Sequence, residues 1–274
     1  MKRILVPTDF SSRAENALKI AAQIARKNDF EIHLLHMLEI PSQMNDAITG
    51  GAAIPEIMLF LQKAKEIMQH TKEKDFLQGL TVIDAIKLER ATQGILSYSK
   101  DNHIDLIIMG SNGASGLTEI IIGSNTEKVV RLSPAPVMVI KEEITPFDPK
   151  NIVFASDFSE EIKKPYLKIL NFNNQFQAKL HLLTICSPSS FKTTSLANKL
   201  MDNFTQEFDM QNFSTNIYND TTIEKGIIHF SNEIKADLII LCTHGRTGLS
   251  HFFTGSISED LANHGNKPLI IFKI

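Results

Sequence analysis

Residues 4–40 align without a gap on residues 152–188, so that ILVPTDFS answers IVFASDFS and EIHLLHM answers KLHLLTI. In a second register, sixteen residues shorter, residues 91–140 align with 223–272, and IDLIIMGSNGASGL matches ADLIILCTHGRTGL. An αβ pattern written twice over a chain of 274 residues predicts two homologous units, each long enough to bury its own core. Differences between the copies then become readable, residue by residue.

Each half alternates strand-like and helix-like stretches, the pattern of βαβ units and a parallel sheet. In the first half, strands are expected at Arg3–Pro7, Glu31–Leu38, Val82–Leu88, Asp105–Met109 and Val137–Lys141. Helices are expected from Ser12, over 56–75, 92–102 and 124–132. Ala14, Ala17, Leu18, Ala21, Ala22 and Ala25 form one apolar face at helical spacing, and Ser12-Arg13-Ala14-Glu15 reads as a capping box. Right-handed crossovers place helices on both faces of an open sheet. The predicted fold is α/β, two tandem open parallel five-stranded sheets, with units at 1–145 and 146–274 joined by the short, charged link Lys141–Lys150. The apolar last strands, VMVIK and LIIFKI, are edges that need a partner, and pairing between the halves would make an internal pseudo-dimer.

A net charge of -3 gives no basic excess for nucleic acid or an anionic membrane. Cys186 and Cys242 lie in apolar strand-like runs and form no disulfide framework, which fits a reducing compartment. No apolar run reaches the length of a membrane span, and the N-terminus meets Pro7 and Asp9 too soon for a secretion signal. A cytoplasmic protein is expected. His33 and His36 would face opposite sides of a strand, while His244 and His251 flank a glycine loop; none has the spacing of a closed zinc site.

Chemistry concentrates after the fourth strand. Gly110-Ser111-Asn112-Gly113 opens a loop at its C-terminal end, and nine residues after Gly113 come Gly123-Ser124. In an open αβ sheet, ligands bind beyond the carboxyl ends of the strands, so Pro7, Thr8 and Asp9 face the same crevice. Glycines there let backbone N–H groups approach a phosphate, and the helix starting at Ser124 favours an anion. Ser124-Asn125-Thr126-Glu127 is also a capping box, as is Ser256-Ile257-Ser258-Glu259, and Asp9 could cap the helix after it. The insertion IPSQMNDAITGGAAIP in the first half reads as a surface excursion or a lid over a ligand.

These motifs, with PTDFS at the start and P-x-x-V-I at the end of the first half, resemble those of a tandem universal stress protein over nearly the whole chain. The resemblance implies a Rossmann-like fold of the adenine-nucleotide alpha-hydrolase type and a regulatory or sensing role in stress response. It also implies an adenine nucleotide, ATP foremost, with or without magnesium. Asp9 and the Pro7-Thr8 backbone would contact ribose and adenine. Met37 would pack on the base, and Gly110, Ser111, Gly113, Gly123, Ser124 and Asn125 would hold the phosphates. The second half keeps Asp157, Gly245, Arg246, Gly255 and Ser256 but has Cys242 where the first has Gly110, which puts its occupancy in doubt. No Walker lysine occurs, so binding is expected rather than efficient phosphoryl transfer, with slow ATP hydrolysis left open. The alternatives are a carrier of a non-nucleotide ligand and a partner-binding scaffold. A further homodimer is compatible with either.

Overall fold

The computed structural model describes residues 1–39, 54–111, 123–243 and 267–274. In the first half, β1 (Arg3–Thr8), β2 (Glu31–Met37), β3 (Val82–Lys87), β4 (Leu106–Gly110) and β5 (Val137–Ile140) alternate with helices. These are α1 (Ser12–Asn28), α2 (Ile54–Lys72), α3 (Ala91–Asp101) and α4 (Ser124–Leu132). The second half carries β6 (Asn151–Ala155), α5 (Lys163–Phe176), β7 (Lys179–Cys186), α6 (Thr194–Gln206), β8 (Phe213–Asn219), α7 (Ile223–Glu233), β9 (Leu238–Thr243) and β10 (Leu269–Lys273).

The described strands form one ten-stranded sheet in the order β3-β2-β1-β4-β5-β10-β9-β6-β7-β8. Within each half every pairing is parallel, as the βαβ pattern requires. The halves meet where β5 runs antiparallel to β10, with Met138 opposite Ile270. Both apolar last strands thus find their partner in each other.

Alternate residues of a strand face opposite sides of the sheet, and the packing follows that period. Ile4 and Val6 lie in a cluster with the α1 alanines and Met68 of α2, whereas Leu5 packs with Ile95 and Tyr98 of α3 and Val129 of α4. Helices therefore cover both faces. The first cluster continues through Phe154, Tyr166 of α5 and Phe204 of α6, so one apolar layer spans both halves. The link between them is tied down: Phe147 is buried, and its N–H donates to Gln23 Oε1 at 2.7 Å. Lys19 and Lys27 of α1 pair with Glu143 and Asp148 of the same link.

Two expected caps are corrected. The N-cap of α1 is Ser11, whose side chain accepts from Ala14 N, so no capping box forms on Ser12 and Glu15 pairs with Lys74 instead. For α4 the N-cap is Gly123, with no side-chain cap, and Glu127 N donates to the Gly123 carbonyl. The capping box on Ser124 does not form. Its counterpart at Ser256–Glu259 lies outside the described residues.

Candidate functional site

β1 and β6, the first strands of the two halves, end in the same local device. Thr8 Oγ1 accepts from Phe10 N at 3.0 Å and Asp9 Oδ1 accepts from Ser11 N at 3.0 Å. In the second half Ser156 Oγ accepts from Phe158 N at 3.0 Å and Asp157 Oδ1 from Ser159 N at 3.1 Å. These side-chain turns hold Phe10 and Phe158 at φ 62° and 55°, a left-handed kink that turns the chain from strand into helix. One Asp9 oxygen is thereby engaged in the turn before α1, and the residue remains exposed. The expectation that Asp9 itself caps the helix gives way to Ser11 in that role.

Strand order reverses between β1 and β4, and a cavity of about 280 Å³ lies at the carboxyl ends of these strands. Pro7, Thr8, Asp9, Met37, Gly110, Gly123, Ser124 and Asn125 all line it. Leu35, Ile95 and Met109 supply an apolar wall; Ser11, Arg13, Ala14, Glu39, Ala91 and Thr126 complete the described lining. Ser111 is buried beside it, its N–H bonded to the Ile140 carbonyl, and its hydroxyl has no partner among the described residues. With no side-chain cap on α4, the first-turn N–H groups of that helix stand at a cavity wall, an arrangement that favours an anion. Two contacts hold this corner: Thr126 Oγ1 donates to the Gly110 carbonyl at 3.2 Å, and Thr92 Oγ1 to Asn125 Oδ1 at 3.1 Å. Glu39 Oε1 accepts from Ala91 N at 2.6 Å and closes the open end of α3.

Gly110 is required by a neighbour within the chain. A Cβ there would lie 2.6 Å from the Arg13 carbonyl oxygen and 3.0 Å from Arg13 Cβ. The bare glycine thus lets the first turn of α1 reach the end of β4. In the second half Cys242 fills this position, fully buried, and the helix after β6 begins with a 3₁₀ turn, Glu160–Ile162, before α5. Burial, and then the nearby charge of Asp157, push the Cys242 thiol far above its ordinary range, so it stands protonated and unreactive at neutral pH.

Other expected residues fall elsewhere. His33 is buried, with Nδ1 3.0 Å from the Tyr98 hydroxyl, and His36 Nδ1 lies 2.8 Å from the Thr8 carbonyl with its ring stacked on Phe10. Both rings are thus used structurally, and among the described residues no cluster of three or more His, Cys, Asp or Glu could hold a metal ion. Gly113, Gly245, Arg246, Gly255, Ser256, His244, His251 and most of the first-half insertion lie outside the described residues. Arg13, Glu39 and Thr126 line the cavity as well, although the sequence motifs assign none of them a ligand role. Arg13 reaches the cavity through the tertiary contact at Gly110, and Glu39 through a bond to a helix distant in sequence. Among the described residues no helix is long and apolar enough to cross a membrane.

An adenine nucleotide fits this donor set. The apolar wall offers a surface for a base, Asp9 an acceptor for ribose hydroxyls, and the Gly123–Thr126 corner backbone and hydroxyl donors for phosphates.

Known proteins share both sequence and architecture. A curated universal stress protein of Methanocaldococcus jannaschii is 34% identical over 155 residues, covering 52% of this chain and 96% of that protein. One from Synechocystis is 22% identical over the full length of both chains. The crystal structure of a universal stress protein from Archaeoglobus fulgidus superposes with a TM-score of 0.76 at 21% identity, covering 99% of this chain and 98% of that one, which attests the fold. The profile of the universal stress protein family matches residues 1–141 and 217–273, and the chain belongs to that family.

Proposed function

We propose that the first half, residues 1–145, is a nucleotide-binding unit that holds an adenine nucleotide, ATP foremost, in the cavity at the ends of β1 and β4. The carrying observation is the convergence of PTD, Met37, Gly110 and the uncapped start of α4 on one cavity wall system. Pro7, Thr8 and Asp9 would take the ribose and the edge of the base, and Met37 with Ile95 one face of the adenine. Gly110, Ser111, Gly123, Ser124 and Asn125 would take the phosphates. Among the described residues of the lining, Asp9 and Glu39 are the carboxylates, and from these a magnesium ion accompanying the phosphates would gain few protein ligands and keep most of its waters.

Binding that senses nucleotide level, in a cytoplasmic stress response, fits this site better than turnover. No side chain of the described lining is a lysine poised on a terminal phosphate, and general acid–base groups are limited to two carboxylates. Residues 146–274 would serve as the built-in partner, joined through β5 and β10 as a pseudo-dimer. Cys242, which replaces the strand-end glycine there, supports unequal halves. Calorimetric titration of the full-length protein with ATP tests the reading. Saturable binding that Asp9→Ala weakens is expected; no heat of binding at millimolar ATP would overturn it.

A further inference from the structure

We propose that Arg13, on the first turn of α1, supplies the phosphate-directed charge of the first-half cavity and makes it select nucleoside polyphosphates over nucleosides. This rests on the nucleotide reading above and names a residue outside the glycine motif.

Among the described residues lining the cavity, Arg13 is the one cation, set against the carboxylates of Asp9 and Glu39. Without it the lining would present two negative charges to a ligand whose phosphates are themselves strongly negative. Backbone N–H groups and hydroxyls at the start of α4 supply hydrogen bonds but only partial charge. A guanidinium supplies a full charge and a planar fork of donors suited to phosphate oxygens.

Its position is built into the fold. The Arg13 backbone sits so close to Gly110 that a Cβ on that glycine would lie 2.6 Å from the Arg13 carbonyl oxygen. Gly110 therefore has a double consequence: it opens the strand end, and it draws the Arg13 turn up to the cavity. The second half changes both members of this pair together. In the register that aligns β1 with β6, Glu161 stands where Arg13 does, and Cys242 stands where Gly110 does. Glu161 lies in the 3₁₀ turn that replaces the first turn of α1. The glycine and the cation occur together in one half; the cysteine and an anion occur together in the other.

The test is calorimetry of ATP and of adenosine on full-length wild type, Arg13→Gln, Arg13→Lys and Lys100→Gln. Lys100 lies in the last turn of α3, at the far end from Ala91 and the cavity, and controls for net charge. Loss of a charge-assisted contact should lower the ATP-to-adenosine affinity ratio of Arg13→Gln by roughly ten- to one-hundredfold. Arg13→Lys should retain part of it, and Lys100→Gln should stay within about twofold of wild type. An unchanged ratio in Arg13→Gln, with ATP still bound by wild type, overturns the role of Arg13 and leaves the nucleotide site standing. An equal fall in Lys100→Gln overturns it too, because the effect would then be long-range charge. Wild type that binds neither ligand overturns the nucleotide reading itself, and this inference with it.

Discussion

Met37 closes over Gly94: a Cβ built on that glycine would lie 2.0 Å from Met37 Cε and 2.9 Å from Sδ. The end of β2 and the second turn of α3 therefore approach as closely as a bare helix face allows. The second half repeats the pair, with Ile185 Cγ2 2.8 Å from a Cβ on Gly226. Duplication has kept this contact although its side chain changed.

Gly94→Ala separates packing from site geometry. The clashing atoms are the far end of a flexible side chain, and alanine favours the helix by about 0.5–1 kcal/mol over glycine, so global stability should change by no more than about 1 kcal/mol. Met37 must swing within the cavity it lines, and ATP affinity should fall roughly fivefold, the factor that about 1 kcal/mol of lost contact carries. Thermal melts and titration of the same sample check both; unchanged affinity would remove Met37 from the binding surface.

Gly110→Ala should behave in the opposite way. Here the new methyl meets the backbone of Arg13, which can yield only if α1 shifts. A stability loss of about 1–3 kcal/mol is expected from urea unfolding, the range for forcing atoms into a packed site. A neutral substitution would mean that α1 is not held against β4.

Burial lowers the pKa of His33 and of His181, the same position in the two halves, below the ordinary value of 6.5. At His33 desolvation outweighs the opposing pull of Glu31. In the unfolded chain both imidazoles take up protons at higher pH than in the folded one. Their contribution to stability is thus fully present above about pH 6.5 and is lost as pH falls toward the lowered folded values. Titration by NMR should give both rings apparent pKa values below 6.5; a value at or above 6.5 for either ring would contradict the packing described.

The β5–β10 junction gives a prediction about the halves. Val137, Met138, Val139 and Ile140 are all buried, and residues 1–145 alone would expose the edge that β10 covers. That segment should sediment as a homodimer, with two β5 strands paired as β5 and β10 are. A folded monomer would contradict the pseudo-dimer.

Much of this architecture was legible in the sequence because period and repetition report it directly. The alanine stripe of α1 and the apolar run Leu106–Met109 sit in the core as the patterns require. Caps were displaced by a single position, since Ser11 and Ser12 offer the same hydroxyl and Gly123 can end a loop without a side-chain bond. Gly110 reads in the sequence as a place where backbone N–H groups could approach a phosphate, whereas the atom that comes close to it in the structure is the Arg13 carbonyl oxygen, a partner from another element. Arg13 itself was silent. Helical periodicity places it off the apolar face, and the tertiary approach of α1 to β4 turns that position into cavity wall.

We propose that each chain holds one adenine nucleotide, in the first-half cavity. Calorimetric titration of ATP into full-length wild type and Asp9→Ala measures it most directly. A stoichiometry near one per chain, with affinity reduced by Asp9→Ala, is predicted. Absence of binding at millimolar ATP, or binding that Asp9→Ala leaves untouched, would contradict it.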